Sequence, residues 1–326
     1  MTTPSEYTPR HEPVLLAEVV RGLGVRPGGR YVDATVGLGG HAEAILEAAQ
    51  PGGRLLGIDR DGHAICAARE RLARFGDAVV LVRGVYWEVA RIGAEHGFER
   101  VDGVLFDLGV SSLQLDAPGR GFSFLRDEPL DMRMDDRAAL TAAEVVNTYD
   151  EVALADAIWR FGEERRSRRI ARAIVARRPL RTTGELVSAV EQAVGRRQEG
   201  PIHPATRTFQ ALRIVVNQEL DFLSDSLSAA HGLLAGAGAR LVVIAFHSLE
   251  DRVVKEYMRR ESSDCLCPPR TPMCICGHVA TLRLVGRGAT KAGEAELARN
   301  PRARSARLRV AESLGGHDSE GGWEAA

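Results

Sequence analysis

The sequence predicts an α/β fold, in which a parallel β-sheet is covered by helices on both faces and interrupted by a helical insert. As far as Asp107, short apolar runs alternate with amphipathic stretches, which is typical of strands that alternate with helices. Each run is apolar throughout rather than at every second position, as expected for strands buried on both faces. The next comparable run, 239–246, begins more than a hundred residues after Asp107. That gap is too long for one crossover connection and predicts an inserted domain.

The first four strands and their helices are predicted before this gap. The predicted strands are 31–33, 55–59, 78–83 and 101–107, and the predicted helices are 17–22, 41–50, 64–75 and 86–96. Glycine- and proline-rich turns at 27–29 and 51–53 precede the first two strands. Because the strands are parallel, their carboxyl ends meet at one edge, where such sheets bind ligands.

The chain after the gap is predicted to complete the sheet. A helix at 209–234 leads into the fifth strand, another helix covers 247–260, and 281–285 and 307–310 form an antiparallel strand pair. Within the insert, Thr141 and Glu144 have the spacing of a capping box that opens a helix. We predict a discontinuous domain of 1–114 and 209–313, an inserted helical substrate-recognition domain of 115–208, and a disordered tail of 314–326.

The segment from Asp33 to His41 is predicted to bind a nucleoside-containing cofactor. A turn after the first strand holds three glycines that permit positive φ and close approach of a ligand, namely Gly37, Gly39 and Gly40. His41 then opens a helix, whose first N–H groups favour an anionic or strongly polar group. Asp59 ends the second strand, at the position where a Rossmann-like fold holds the two hydroxyls of a ribose.

Two classes of cofactor fit these glycines. Gly37, Gly39 and Ala42 also match the G-x-G-x-x-A pattern of a dinucleotide site, so a dehydrogenase remains an alternative. A glycine-rich turn that binds no ligand is a further alternative. Asp33 favours the other class, because a carboxylate would repel a pyrophosphate but suits the ammonium and sulfonium groups of S-adenosylmethionine. The antiparallel strand pair after the fifth strand is also typical of methyltransferases that use this cofactor.

The stretch after the fourth strand is predicted to receive the substrate. Asp107, Ser111 and Ser112 offer a carboxylate and hydroxyls that could accept hydrogen bonds from an exocyclic amino group. The lone pair of such an amine is delocalised into its ring, and acceptors on its N–H bonds make the nitrogen more nucleophilic. Alignment of two bound reactants would supply much of the rate. The alternative is that the two serines only cap a turn.

Six motifs together resemble the bacterial 16S ribosomal RNA (cytosine-N4)-methyltransferase H family, also called MraW. These motifs are 33–41, 107–112, 121–124, 129–134, 246–252 and 300–305. The resemblance extends from about His11 to Ala311. It implies a class I methyltransferase sheet with a helical insert, S-adenosylmethionine as methyl donor, and a cytosine in the decoding centre of the small ribosomal subunit as acceptor.

The resemblance also implies binding residues. Gly39, Gly40 and His41 match the loop around the methionine part of the cofactor, Asp59 matches the ribose ligand, and Asp107 and Gln114 match positions at the cofactor and target pocket. Tyr86 stands where the family usually has Phe beside the adenine, and it keeps the stacking face. With Asp33 and Gly37, these residues form the predicted cofactor site. Methylation of another amino group, in DNA or protein, and an assembly factor that only binds a nucleotide remain alternatives.

The charge of the chain bounds its partners. The formal net charge of −1 gives no global signal for nucleic acid, but 160–181 holds nine arginines against Glu163 and Glu164. This stretch is predicted to contact RNA phosphates, with a solvated helix face as the alternative. No apolar run could span a bilayer and no signal peptide is evident, so we predict a cytoplasmic protein without a membrane partner. A homodimer is left open.

Four of the five cysteines form a C-x-C-x6-C-x-C pattern, at Cys265, Cys267, Cys274 and Cys276. Clustered thiolates in a cytosolic protein favour a tetrahedral zinc site, which would be structural rather than catalytic. The alternative is an ordinary reduced loop. Cys66, alone on a helix, is predicted to be a core residue.

Overall fold

The structure, a computed structural model, describes residues 12–195 and 203–315 of the 326-residue chain. They form two compact units. The first unit consists of the described residues of Met1–Asp59, Ala64–Leu108 and Asp225–Ala326, and the second of those of Arg60–His63 and Gly109–Ser224. The predicted insert of 115–208 lies inside the second unit, which also takes in 60–63, 109–114 and 209–224. The predicted tail lies outside the described residues from 316 onward.

The first unit is built on one sheet. Its strands are β1 Arg30–Asp33, β2 Arg54–Asp59, β3 Val79–Arg83, β4 Gly103–Asp107, β5 Arg240–Ala245, β6 Leu282–Leu284 and β7 Arg307–Ser313. Among the described residues they are arranged in the order β3-β2-β1-β4-β5-β7-β6. The first five strands are parallel, and β7 is antiparallel to both β5 and β6. The predicted Rossmann-like α/β sheet with an antiparallel edge is confirmed.

Helices cover this sheet and account for its apolar strands. The helices before the second unit are α1 Leu16–Leu23, α2 Gly40–Ala48, α3 Gly62–Leu72 and α4 Val89–Glu95. Val32, Leu56, Leu105 and Val243, in the four central strands, have no exposed surface. Burial on both faces therefore explains why these strands read as continuous apolar runs.

The second unit is helical. Its helices are α5 Ser112–Asp116, α6 Ala142–Thr148, α7 Glu151–Gly162, α8 Ser167–Val175, α9 Thr183–Val194 and α10 Thr206–Asn217. The predicted capping box at Thr141 and Glu144 is confirmed, and Thr182 and Glu185 form another at the start of α9. Such caps satisfy the free N–H groups of the first helical turn. The described residues of this unit form a single apolar core around α6 to α10.

The predicted helix of 209–234 is wrong, because the chain breaks between two helices. α10 ends at Asn217, and α11 Leu223–Gly232 begins after a turn; α12 Ser248–Glu261 and α13 Glu294–Arg299 follow later. Gln218 takes the left-handed conformation with φ 52°, which stops α10. The buried Asn217 side chain donates to the carbonyl of Met132 at 2.7 Å and accepts from Met134 N at 2.8 Å, so α10 is anchored where it ends. No helix within 12–195 or 203–315 is long and apolar enough to cross a membrane.

Candidate active site

Three neighbouring strands of the first unit end in acidic residues. Asp33 ends β1 and Asp107 ends β4, and these strands are paired directly; Asp59 ends β2 on the other side of β1. Adjacent strands lie about 4.8 Å apart. The sheet therefore gathers the three predicted carboxylates at its carboxyl edge, the edge at which this class of sheet binds ligands.

Asp33 is the most deeply buried of the three. Its Oδ1 accepts a hydrogen bond from Thr35 N at 3.2 Å, while its Oδ2 is buried and has no hydrogen-bond partner among the described residues. Burial raises the pKa of Asp33 to about 7; the charges of Asp107 and Asp59 add to the rise, and His41 opposes it. Near neutral pH this carboxyl is therefore poised between its charged and neutral forms.

His41 connects the glycine-rich loop to Asp107. Its Nε2 lies 2.9 Å from the carbonyl oxygen of Val14, and its Nδ1 lies 3.4 Å from Oδ2 of Asp107. Burial alone lowers the pKa of His41, but the hydrogen bond to Asp107, the charges of Asp107 and Asp33 and the Val14 carbonyl together raise it. Because both partners only accept, the protonated imidazolium is the form that satisfies both contacts.

Asp107 is held from its backbone as well as its side chain. Its N–H donates to Oγ1 of Thr35 at 2.6 Å, and its Oδ1 is buried without a hydrogen-bond partner in the described part of the chain. Sequence reasoning did not single out Thr35, although it lies inside the motif that contains Asp33. Thr35 therefore forms hydrogen bonds with both Asp33 and Asp107 at the ends of their strands.

The glycine-rich loop is shaped by close backbone contacts. Gly37 and Gly39 have φ values of 51° and 78°, in the region that only glycine adopts easily. Gly37 N donates to Oδ2 of Asp59 at 2.9 Å, which ties the loop to the carboxylate that ends β2. A Cβ on Gly40 would lie 2.3 Å from Cγ of Pro13, which leaves no room for a side chain.

Tyr86 lies at the start of a short 3-10 helix that follows β3. Its ring meets Phe106 edge-on, with centroids 6.0 Å apart, and Trp87 at 5.4 Å. Phe106 is fully buried in β4. The predicted adenine-stacking residue is thus fixed against the sheet by aromatic contacts of its own.

In the second unit, Ser111 and Gln114 form the capping box of α5. Gln114 N donates to Oγ of Ser111 at 3.3 Å, and Ser111 N donates to Oε1 of Gln114 at 3.1 Å. The Gln114 amide also donates to Oδ2 of the buried Asp61 at 3.1 Å, and Arg120 donates to the same oxygen at 2.9 Å. Ser111 therefore has the capping role that the sequence left as its alternative. Ser112 is the first residue of α5.

Comparison with known proteins identifies the chain's family. A family model described as the MraW methylase family matches residues 8–314. The chain belongs to the MraW methylase family. It is therefore a methyltransferase enzyme, and the family predicted from its six motifs is confirmed. Among curated MraW relatives, the protein called Ribosomal RNA small subunit methyltransferase H from Dehalococcoides mccartyi is 54% identical, over 93% of this chain and 86% of the relative.

Two further MraW relatives carry the same name. The protein from Thermomicrobium roseum is 51% identical, over 94% of each chain. The protein from Geobacter sulfurreducens is 53% identical, over 93% of this chain and 99% of the relative. At this coverage, the similarity extends through both units rather than through one of them.

The four clustered cysteines of this MraW methylase are brought together in the loop between α12 and β6. Their Sγ atoms are 3.5 Å apart for Cys265 and Cys274, 4.0 Å for Cys267 and Cys274, 3.6 Å for Cys274 and Cys276, and 3.8 Å for Cys265 and Cys276. All four are free thiols. Cys66 is exposed, so its prediction as a core residue is wrong: its position on α3 faces away from the sheet.

We expect Asp107→Asn to lower the pKa of His41, because the variant replaces a charged hydrogen-bond acceptor with a neutral one and so removes the negative charge that helps to overcome the effect of burial. In the wild type, His41 should titrate above its ordinary value, and in the variant below the wild-type value. NMR titration of the histidine rings would measure both, with His41→Gln to assign the signal.

Asp77→Asn is the matched control, because Asp77 is an exposed carboxylate of the same unit. It should leave the His41 titration unchanged. A wild-type His41 that titrates below its ordinary value would contradict the arrangement described above.

Proposed function

We propose that the chain is an S-adenosylmethionine-dependent enzyme that methylates N4 of a cytosine in the decoding centre of 16S ribosomal RNA. The observation that carries the proposal is a pair of buried carboxylate oxygens, Oδ2 of Asp33 and Oδ1 of Asp107, that lack hydrogen-bond partners in the described structure. The names of the curated relatives support ribosomal RNA of the small subunit as the substrate.

The residues at the sheet edge fit the cofactor. A buried acceptor without a hydrogen-bond partner raises the free energy of the protein. A ligand that brings donors or positive charge to Asp33 and Asp107 would therefore be bound favourably. S-adenosylmethionine brings an ammonium and a sulfonium group, which match two carboxylates better than a pyrophosphate would. Asp59 would accept from the ribose hydroxyls, and Tyr86 would lie against the adenine. The predicted roles of Gly37, Gly39 and Gly40 follow from the close backbone approach that their conformations permit.

Asp107 is the proposed catalytic residue. Its carboxylate would accept a hydrogen bond from the exocyclic amine and direct the nitrogen lone pair toward the methyl carbon. When bound, S-adenosylmethionine supplies that methyl group from its sulfonium: the N–C bond forms as the C–S bond breaks. Asp107 would then take the proton that the nitrogen loses. His41 is a positioning residue, because its ring Nδ1 lies 3.4 Å from Oδ2 of Asp107 and so orients that carboxylate.

The second unit is the proposed site of RNA recognition. Arg165, Arg168 and Arg169 are exposed and have no ion-pair partner among the described residues, whereas Arg172 lies 3.5 Å from Glu151. These unpaired arginines, two on α8 and one in the turn just before it, suit RNA phosphates. Ser111, Ser112 and Gln114, which follow Asp107 within a few residues of chain, remain predicted to serve the target and cofactor.

The function is tested by methylating small ribosomal subunits from a strain that lacks this enzyme, followed by mass spectrometry of the digested RNA. Purified wild-type protein with S-adenosylmethionine should produce N4-methylcytidine. Asp107→Asn should lower kcat by about 10²- to 10⁴-fold, the usual contribution of a general base, with cofactor affinity largely kept.

Asp77→Asn provides the control for loss of an acidic residue and should remain fully active. Transfer to a different nucleoside, or none, would refute the proposed substrate. An Asp107→Asn variant with wild-type turnover would remove Asp107 from the mechanism.

Cofactor affinity should depend on the protonation of Asp33. Because a cation binds the charged carboxylate, affinity should fall by up to about tenfold for each pH unit below the pKa of about 7. Asp33→Asn should bind more weakly and with little pH dependence between pH 5.5 and 7.5. Calorimetry with S-adenosylmethionine would measure this; a wild-type affinity that is flat over this range would contradict the assignment of Asp33.

We also propose that Cys265, Cys267, Cys274 and Cys276 bind one zinc ion. With Zn–S bonds of about 2.3 Å, the edges of a tetrahedral tetrathiolate site are about 3.8 Å long. The four sulfur pairs given above are separated by 3.5 to 4.0 Å. A disulfide would need about 2.05 Å, so the thiols are spaced for a shared ion rather than for a covalent bond.

The surrounding loop supports a structural role for such an ion. No residue from 262 to 280 is buried, so this loop has no apolar core of its own. Backbone N–H groups of Leu266 and Ile275 donate to Sγ of Cys276 and Cys267, at 3.3 and 3.4 Å, and orient the sulfurs. Without burial, a cross-link of this kind is what would hold the loop in one conformation.

Elemental analysis of protein purified without chelators should find about one zinc ion per chain. Cys276→Ser should lose most of the zinc and increase hydrogen exchange in 264–280. Cys66→Ser, at an exposed thiol outside the cluster, should keep the wild-type zinc content and the wild-type exchange rate. Wild-type protein with no bound zinc, and no uptake on addition of zinc, would refute the proposal.

A further inference from the structure

A cavity of about 200 Å³ opens in the first unit where β5 ends. One wall is the segment that leads into α12, with Phe246 and Ser248. The other is the turn before β7, with Arg304 and Ser305, together with Lys291 and Arg307. The cavity lies outside the cofactor site described above, and its lining is rich in hydrogen-bond donors and positive charge.

Two of these cations have no partner in the part of the chain that the structure describes. Lys291 and Arg304 are exposed and form no ion pair or side-chain hydrogen bond with any residue in the described part of the chain. Lys291 is one of only two lysines in the sequence. Unpaired cations that converge on one cavity form a site for an anion rather than a structural network.

The acidic groups nearby are already engaged. Both oxygens of Asp251 accept hydrogen bonds, Oδ2 from Arg307 at 2.8 Å and Oδ1 from Arg309 at 2.7 Å. Those two arginines hold the pKa of Asp251 below its usual range, against the effect of burial. Glu250 accepts from the backbone N–H groups of Phe246 and His247, at 2.9 and 3.3 Å, and so caps α12. The carboxylates therefore do not neutralise Lys291 and Arg304.

The walls of the cavity are fixed by the sheet. Ala245 of β5 pairs with Arg307 of β7, and Thr290 and Leu308 exchange backbone hydrogen bonds of 2.8 and 2.9 Å. These ladders set the spacing between Lys291 and the turn that carries Arg304. The donors are thus presented by a rigid frame rather than by a free loop.

The same ladder places the cavity beside the catalytic carboxylate. Asp107 at the end of β4 pairs with Ile244 of β5, and Phe246 is two residues further along the chain, just after β5 ends. Because adjacent strands lie about 4.8 Å apart, the cavity begins one strand away from Asp107 at the same edge of the sheet. A ligand in it would be a neighbour of any amine held by Asp107.

We propose that this cavity binds a backbone phosphate of the RNA substrate next to the target cytosine. This inference rests on the proposed function. Arginine, lysine and hydroxyl donors are the groups that commonly bind phosphate oxygens, and such contacts set the register of a nucleic acid without reading its sequence. At about 200 Å³, the cavity is smaller than the usual pocket for a whole small molecule, about 300 Å³ or more, and suits a single anionic group.

The carboxylate of the cofactor's methionine part is the other oxyanion that the active-site edge could receive. It would make the cavity part of the cofactor site. The two sources can be distinguished by removing the cations of the cavity. If the cavity binds a phosphate, only affinity for the RNA substrate should fall; if it binds the carboxylate, affinity for the cofactor should fall.

The test compares Lys291→Gln/Arg304→Gln with a matched control, Lys255→Gln/Arg259→Gln, which removes the same charge from exposed positions on α12 that do not line the cavity. Methyl transfer to unmethylated small subunits is measured at several salt concentrations, and affinity for S-adenosylmethionine by calorimetry. The cavity variant should raise KM for the subunit about tenfold or more with kcat nearly unchanged. Its salt slope of log(kcat/KM) should be reduced by about 1 for each cation removed.

Unchanged cofactor affinity in the cavity variant and wild-type behaviour of the control would complete the supporting result. Arg304→Lys, which keeps the positive charge, should raise KM for the subunit less than Arg304→Gln does. A cavity variant equal to the control would overturn the proposal, as would a loss confined to cofactor affinity, which would assign the cavity to the methionine carboxylate. If the wild type itself transferred no methyl group to the subunit, the proposed function would fail, an outcome distinct from failure of the cavity alone.

Discussion

The structure of the site depends on two carboxyl groups that a parallel sheet brings together at the ends of its strands. Asp33 and Asp107 end adjacent strands, and Asp33 is held there in a place from which water is excluded. The negative charge of Asp107 adds to the rise that burial causes in the pKa of Asp33. His41 opposes this rise from its position beside Asp107, and one oxygen of each carboxyl stays buried without a hydrogen-bond partner among the described residues. An edge built this way is selective for cations before any substrate-specific contact is made.

Sequence reasoning was most successful where periodicity and burial coincide. The apolar runs at β1, β2, β4 and β5 identified the sheet because strands buried on both faces leave little choice of residue. It was least successful where a single side chain changes the course of the backbone. The apolar pattern of 209–234 continues through Gln218, but the left-handed conformation of Gln218 ends the helix there and the buried hydrogen bonds of Asn217 anchor that end.

The site shows the same division. The strand-end carboxylates followed from sequence order alone, since parallel strands bring their carboxyl ends to one edge. The partners of the site residues did not, because His41 contacts Val14, Asp107 contacts Thr35 and Gln114 contacts Asp61 in ways that no spacing rule predicts. A sequence also does not show which charges are paired. The chain has 43 lysines and arginines, and the structure is needed to distinguish those that carboxylates bind from those, such as Lys291 and Arg304, that no carboxylate of the described residues binds.

The contact between Gly40 and Pro13 has a consequence for ligand binding. Pro13 packs against Gly40 of the glycine-rich loop, and the carbonyl of Val14 contacts the ring of His41. At the start of the loop, Gly37 N donates a hydrogen bond to Asp59. The loop is therefore ordered before a cofactor arrives. Little conformational freedom remains to be lost when one binds, so more of the interaction energy is retained as affinity.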